Sequence, residues 1–321
     1  LNNFTVVQID VIDPTDGPKI FDSLNSRQEP MKISELVRNE IFRKISDDLP
    51  EKIERIDEEV WQPFYSSFEH DGVNHFEKYL FPFGLVCDIN IRKSDVFINL
   101  RNQWNEIEDP VKIIESLNYY KLPFLDALLG SNQSQFPPEV AKRFRRIASL
   151  GAPSSLLPFS MQLGRAVMNS DIDSLAACNA LDVIESFLVR RAVVGHEPTG
   201  LHAVFKRLWA DVGDTLSAEN VSVKISSHKT VAWPDDTEFR EAIKSRPLYK
   251  SAITPFLLVE YDCSLGGDVN SEVETIEHVL PQNSGGDWKS YYGEKFVSSD
   301  VDALANLIPC TGKMNSSLGN Q

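Results

Sequence analysis

The sequence predicts a mainly α-helical protein that closes on a small strand–loop–strand–helix module. Three observations carry that expectation. Apolar residues recur three and four apart through most of the chain up to about residue 215, the spacing of amphipathic helices. Prolines at 110, 123, 137, 153 and 158 punctuate this region, several where a helix would take its first turn. After Gly266-Gly267-Asp268 the pattern changes, and two short apolar runs are separated by a loop sequence, Asn283-Ser284-Gly285-Gly286.

In chain order, Asn3 to Ile12 is rich in Val, Ile, Phe and Thr and reads as a strand, ended by the turn cluster Asp13-Pro14-Thr15-Asp16-Gly17-Pro18. Lys19 to Asn25 suits a short helix. Ile33, Leu36, Val37, Ile41 and Ile45 define an amphipathic helix over Lys32 to Ile45. A helix pair is expected over 181–210: Leu181, Ile184, Leu188 and Ala192 form one stripe. Pro198 and Gly200 break it, and Leu201, Val204, Phe205 and Leu208 begin the next. Asp235 to Ile243 and Ala252 to Tyr261 also read as helices. Val273 to Leu280 and Leu307-Ile308-Pro309-Cys310 read as strands, and Lys313 to Leu318 can open a closing helix. The division implied is 1–46, a helical domain over 47–215, and a C-terminal module over 216–321.

Composition narrows the function classes. Of 321 residues, 42% are hydrophobic and 25% charged, which suits a chain with a packed core. No stretch approaches eighteen uninterrupted apolar residues, so no membrane span is expected. Cys87, Cys178, Cys263 and Cys310 are far apart and form no CxxC pair, which argues against a cysteine-built zinc site and fits a reducing cytoplasm. Leu1-Asn2-Asn3 carries no initiator Met and no signal-peptide pattern and reads as the start of a fragment. The net charge of −15 opposes sequence-independent nucleic-acid binding, which is normally basic. A local basic face can still act in an acidic protein, with weak intrinsic affinity that falls steeply with salt.

The chemistry-bearing segment is Thr275-Ile276-Glu277-His278-Val279-Leu280-Pro281-Gln282, followed by Asn306-Leu307-Ile308-Pro309 and by Asn315 within Gly312-Lys313-Met314-Asn315. A lone Glu-His pair is usually a surface pair, and a lone Asn a turn residue or cap. The joint order, an acid beside a His at a strand end, an Asn before a second strand, and an Asn opening a helix, is that of a ββα-metal (HNH) site in its HNN variant. Phosphodiester hydrolysis needs an activated water, a Lewis acid and a stabilised leaving oxygen. An imidazole titrates near neutrality and suits His278 to the role of general base. Glu277 and Asn315 offer hard oxygen atoms suited to Mg²⁺ or Mn²⁺. Asn306 would hold the loop through backbone hydrogen bonds and so orient His278. Strand neighbours point to opposite faces, so Glu277 and His278 can converge only if the strand ends or twists there.

On these residues the chain resembles the GmrSD-like (type IV) restriction endonucleases, which fuse a ParB/sulfiredoxin-like nucleotide-hydrolysing α/β domain to a C-terminal HNH nuclease. TIEHVLPQN (275–283) and LANLIPCTGKMNSSLGN (304–320) carry the C-terminal resemblance. VIESFLVRRAVVGHEPTGLHAVFKRL (183–208) carries that of the middle, and IFDSLNSRQEPMKISELVRNEIF (20–42) that of the N-terminal part. The resemblance implies that 1–46 is the end of the nucleotide domain. It also implies a metal-dependent DNA endonuclease of a restriction or anti-phage system that cleaves or nicks DNA, including modified phage DNA. His278 and Asn306 would then be catalytic, Glu277 and Asn315 metal ligands, and Arg190, Arg191 and Lys313 DNA contacts. The family's Asp-Gly-Gln-Gln-Arg signature is absent, and Gln28-Glu29-Pro30 stands where the family usually has Gly after the Arg, so no nucleotide hydrolysis is expected of the chain as given. The alternative reading is a non-catalytic helical scaffold or regulatory fragment that binds modified DNA or a partner. A homo-oligomer is left open.

Other polar clusters read as structural. Arg143, Arg145 and Arg146 suit a solvated helix face, with phosphate contact as the functional alternative. His196 and His202 lack a third ligand, and His70 and His75 flank a turn.

Overall fold

The computed structural model describes residues 31–130, 134–267, 275–282, 290 and 300–310. The elements expected at 3–12, 13–18, 19–25 and 313–318, and the loop at 283–286, lie outside the described residues. The described chain is mainly helical with two small two-stranded sheets. It forms two compact units. One comprises the described residues up to Leu80 together with Arg92–Ile114; the other comprises Phe81–Ile91 and the described residues from Glu115 onward.

In the first unit, helix α1 (Ile33–Asp48) buries Val37, Ile41 and Ile45 on one stripe. The Glu77 carboxylate accepts the amides of Ile33 (3.2 Å) and Ser34 (3.0 Å), placing an anion on the positive end of that helix. Trp61, at the end of a π-turn (Asp57–Trp61), is 1% exposed. The rings of Phe42, Phe64, Tyr65 and Phe76 lie within 6.0 Å of it, centroid to centroid. Strands β1 (Glu69–His70) and β2 (Val73–Asn74) pair antiparallel around Asp71 (φ 51°) and Gly72 (φ 74°). Positive φ at both turn positions matches the right-handed twist of a two-residue hairpin. Helix α2 (Phe76–Cys87) follows, with its first residues in this unit, and α3 (Val96–Trp104) packs on α1.

His75 is buried between the hairpin and the aromatic cluster, and its Nδ1 has no hydrogen-bond partner among the described residues. Burial, then the charges of Lys78 and His70, push its pKa below the ordinary imidazole value. The unfolded chain therefore binds a proton that the folded unit resists. Stability is full above the unfolded imidazole value of about 6.5 and falls as pH drops below it. We expect urea midpoints of the transition of this unit to decline below that pH in the wild type. The decline should be shallower in His75→Leu; an equal slope in both proteins would refute the attribution.

The second unit takes the second half of α4 (Pro110–Tyr119), then α5 (Lys121–Leu129), α6 (Pro138–Ser149), α7 (Leu157–Met168), α8 (Ser174–Val194), α9 (Leu201–Val212), α10 (Ala218–Ser226), α11 (Asp236–Ser245) and α12 (Thr254–Ser264). Pro138, Pro158 and Pro255 stand at first-turn positions, where a missing amide costs nothing. The break expected at Pro198 and Gly200 separates α8 from α9. α8 begins before the expected 181, because the Asp173 side chain accepts the Ala176 amide (2.8 Å) and caps it. α10 carries no strong apolar stripe in the sequence and was not anticipated. Here it follows a Ser217 cap and packs Val221 and Ile225 beneath α8 and α9.

α8 is the spine of this unit, in contact with α6, α10 and α11. Its C-terminal turn shares a core with α11 and α12, built on Val193, Ala242 and Ile253 with Val189, Phe239 and Phe256 around them. Ion pairs run along the same seam. Arg143 grips Asp182 (3.0 and 3.1 Å), and Arg146 grips Glu185 with two hydrogen bonds (2.6 and 2.7 Å) while its third nitrogen reaches Glu260. The basic cluster read as a solvated face thus includes two arginines that join helices. No helix of the described residues is long and apolar enough to cross a membrane.

Candidate active site in the C-terminal strand pair

Strands β3 (Thr275–His278) and β4 (Leu307–Cys310) pair antiparallel, with Glu277 opposite Ile308 and His278 opposite Leu307. β3 is shorter than the 273–280 read from composition; residues 273 and 274 lie outside the described residues, and the strand stops at His278. A short 3₁₀ turn (Leu304–Asn306) leads into β4, and α12 packs against it.

Asn306 closes the far end of the pair. Its backbone carbonyl accepts the Val279 amide (2.9 Å), and its Oδ1 accepts the Leu280 amide (2.7 Å). Its Nδ2 donates to the carbonyls of Leu280 (3.0 Å) and Val301 (2.7 Å). One side chain thus satisfies three backbone groups on two segments, which no Ala or Leu at this position could do. The chain after His278 is thereby fixed to the chain before β4.

His278 sits in this frame with its side chain 8% exposed. Its Nε2 lies 2.9 Å from Oδ1 of Asp302, and its ring lies 4.1 Å from that of Tyr249, centroid to centroid. Gln282 Nε2 donates to the same Asp302 oxygen (3.0 Å). Hydrogen bonds from Gln282 and then His278, with smaller help from the charges of His278 and Lys250, hold the Asp302 carboxyl below the usual carboxylate range. Asp302 is therefore an anion at neutral pH. An anion on Nε2 fixes the tautomer with the proton on Nε2 and leaves the lone pair on Nδ1.

Glu277 projects from the opposite side of the strand to His278, as the pleat requires. Its charge helps burial raise the pKa of the Cys310 thiol, burial being the larger cause. Among the described residues no three His, Cys, Asp or Glu side chains converge as a metal site. Glu277 does supply a hard oxygen donor of the kind Mg²⁺ and Mn²⁺ prefer. Asn315 and Lys313 lie outside the described residues.

The structure places the two arginines of α8 away from this frame's hydrogen bonds. Arg190 donates to Asp236 (2.6 Å) and to the Pro234 carbonyl (3.3 Å). Arg191 is 6% exposed and donates to the carbonyls of Ala232 (2.6 Å) and Glu197 (2.7 Å). The guanidinium of Arg191 is an internal clamp, and a group so enclosed presents no surface to a phosphate backbone.

Residues 233–321 match the family described as GmrSD restriction endonucleases, C-terminal domain. The whole β3–β4 frame, with Tyr249, His278, Asp302 and Asn306, falls within that matched segment, as do α11 and α12. No curated protein and no solved structure matches the chain. The match begins at 233, so the resemblances at 20–42 and 183–208 lie outside it.

Sequence reasoning passed over Asp302 and Tyr249. Asp302 had a signal, an acid four residues before Asn306 on the segment that must fold back on His278. Tyr249 had none, because its place is set by the turn between α11 and α12.

Proposed function

We propose that this chain is an HNH-type, metal-dependent DNA endonuclease of a restriction or anti-phage system, with His278 as general base. The observation that carries the reading is the Asp302-held imidazole of His278, in a segment matched to restriction endonucleases. The Nε2–H faces the carboxylate, so Nδ1 is the nitrogen that takes a proton from water. Asp302 stabilises the imidazolium that results, and Tyr249 limits rotation of the ring. Asn306 keeps the segment after His278 from moving while the proton transfers. Glu277 and Asn315 would hold Mg²⁺ or Mn²⁺, which when bound supplies Lewis acidity at the phosphate and neutralises charge on the leaving oxygen. Modified phage DNA is the proposed substrate, and Lys313 and the surface near Arg190 are its proposed contacts.

Conversion of supercoiled plasmid, modified and unmodified, to open circles in Mg²⁺ or Mn²⁺ tests the reading. EDTA should stop the reaction. No cleavage of any DNA by the full chain in either metal would overturn it. A second variant isolates the tautomer: Asp302→Asn keeps the shape but lets the amide stabilise either ring nitrogen as donor. Cleavage at saturating DNA should fall by up to about 10⁴-fold, the scale of loss when the acid that sets a general-base imidazole's tautomer becomes an amide. Wild-type rates in Asp302→Asn would remove Asp302 from the mechanism.

A further inference from the structure

The C-terminal end of α8 is joined to His278 through four consecutive residues. α8 stops at Gly195 (φ 88°), and its last carbonyls, at the negative end of the helix, need donors. Arg246 provides them: its Nη1 donates to the carbonyl of Val193 and to that of Ala192 (3.3 Å). The fit is close, since a Cβ added at Gly195 would collide with the Arg246 guanidinium. Arg246 is also where α11 ends, its amide bonded to the Ala242 carbonyl (2.9 Å).

The next residues run directly into the site. Pro247 forms an antiparallel bridge with Ala303. The amides of Leu248 (2.8 Å) and Tyr249 (3.2 Å) both donate to the Asp302 carbonyl. Leu248 is fully buried, and its own carbonyl accepts the hydroxyl of fully buried Thr254. Asp302 then holds His278 Nε2, and the Tyr249 ring lies against the imidazole. Every link from the helix end to the imidazole is a hydrogen bond, a ring contact or a covalent neighbour.

We propose that Arg246 is a positioning residue for His278, holding the Leu248–Tyr249 segment, and through it Asp302, at the end of α8. The proposal rests on the reading of His278 as the working imidazole. Arg246 touches neither substrate nor His278, so its effect is on orientation alone.

The test reads the imidazole directly, without catalysis. The full chain is labelled with ¹⁵N-histidine and its ring nitrogens are recorded at alkaline pH. The His278 signals are assigned by their loss in His278→Gln. The wild type should show a single Nε2–H tautomer for His278. Arg246→Gln, with helical content unchanged, should show mixed tautomers there and cleave about 10–100-fold more slowly at saturating DNA. A wild-type His278 signature in Arg246→Gln would overturn the proposal. Should Arg246→Gln fail to fold, Gly195→Ala displaces the guanidinium without removing it, and an unchanged His278 signature in that variant overturns the proposal equally. Failure of the nuclease reading looks different: the wild type would cut no DNA while the tautomer still responded to Arg246.

Discussion

His278→Ala is expected to lower plasmid nicking by about 10²–10⁴-fold while leaving the fold intact, the range for loss of a positioned general base. The fold should survive because the frame around His278 is made by other groups. Asn306 bonds Leu280 and Val301, Asn306 and Val279 pair through the backbone, and Leu248 and Tyr249 grip the Asp302 carbonyl. What the substitution removes is the proton acceptor and the partner of Asp302. The carboxylate keeps Gln282 and solvent, since its side chain is 38% exposed, so no buried charge is stranded. The expected signature is therefore a fall in the rate at saturating DNA with little change in the DNA concentration needed for half-maximal rate. Undiminished nicking by His278→Ala, from preparations freed of contaminating nuclease, would remove the imidazole from the chemistry. A matching fall in thermal midpoint would instead point to a structural role.

The strand pair and the helices were legible because each rests on a local pattern. β4 is the apolar run Leu307–Cys310, the first described helix is the Ile33–Ile45 stripe, and the α8–α9 break is marked by Pro198 and Gly200. These signals lie within a few residues of the feature they encode. The partners of His278 are of another kind. Tyr249 reaches it because the turn after α11 docks on the Asp302 carbonyl, and no spacing rule relates 249 to 278. α10 was missed for a related reason: its nine residues carry two buried ones, Val221 and Ile225, too few for a periodicity but enough once α8 and α9 supply the other wall. The arginines show the limit from the opposite side. Arg190-Arg191 reads as a basic patch in one dimension, and only the packed structure shows that the carbonyls of Ala232, Pro234 and Glu197 and the carboxylate of Asp236 already surround it.

Arg191→Ala is expected to destabilise the second unit by about 2–5 kcal/mol, on the scale of about 1–3 kcal/mol for each of two buried carbonyls left without a donor. Arg191 is 6% exposed and stands one turn before the end of α8. Its Nη1 and Nη2 satisfy the Ala232 and Glu197 carbonyls, which lie on the loops that leave α9–α10 and enter α9, and its Nε has no partner among the described residues. Burial lowers its pKa, so the charge is held at a cost that the two carbonyls must offset. Truncation removes the donors, leaves both carbonyls without them, and opens a cavity beside the Phe187 ring, over which the guanidinium carbon lies at 5.5 Å from the centroid. Arg191→Lys should recover only part of the loss, because one ammonium cannot span two carbonyls held apart by a planar fork. Arg190→Ala supplies the comparison on the same turn. Its partner Asp236 is mostly exposed, so its loss should cost no more than about 1 kcal/mol. Urea titrations of the three variants, followed through the transition of this unit, check the order. Equal and small effects at 190 and 191 would mean that the carbonyls of 197 and 232 find water when the guanidinium leaves, and that Arg191 is free to be a surface cation after all.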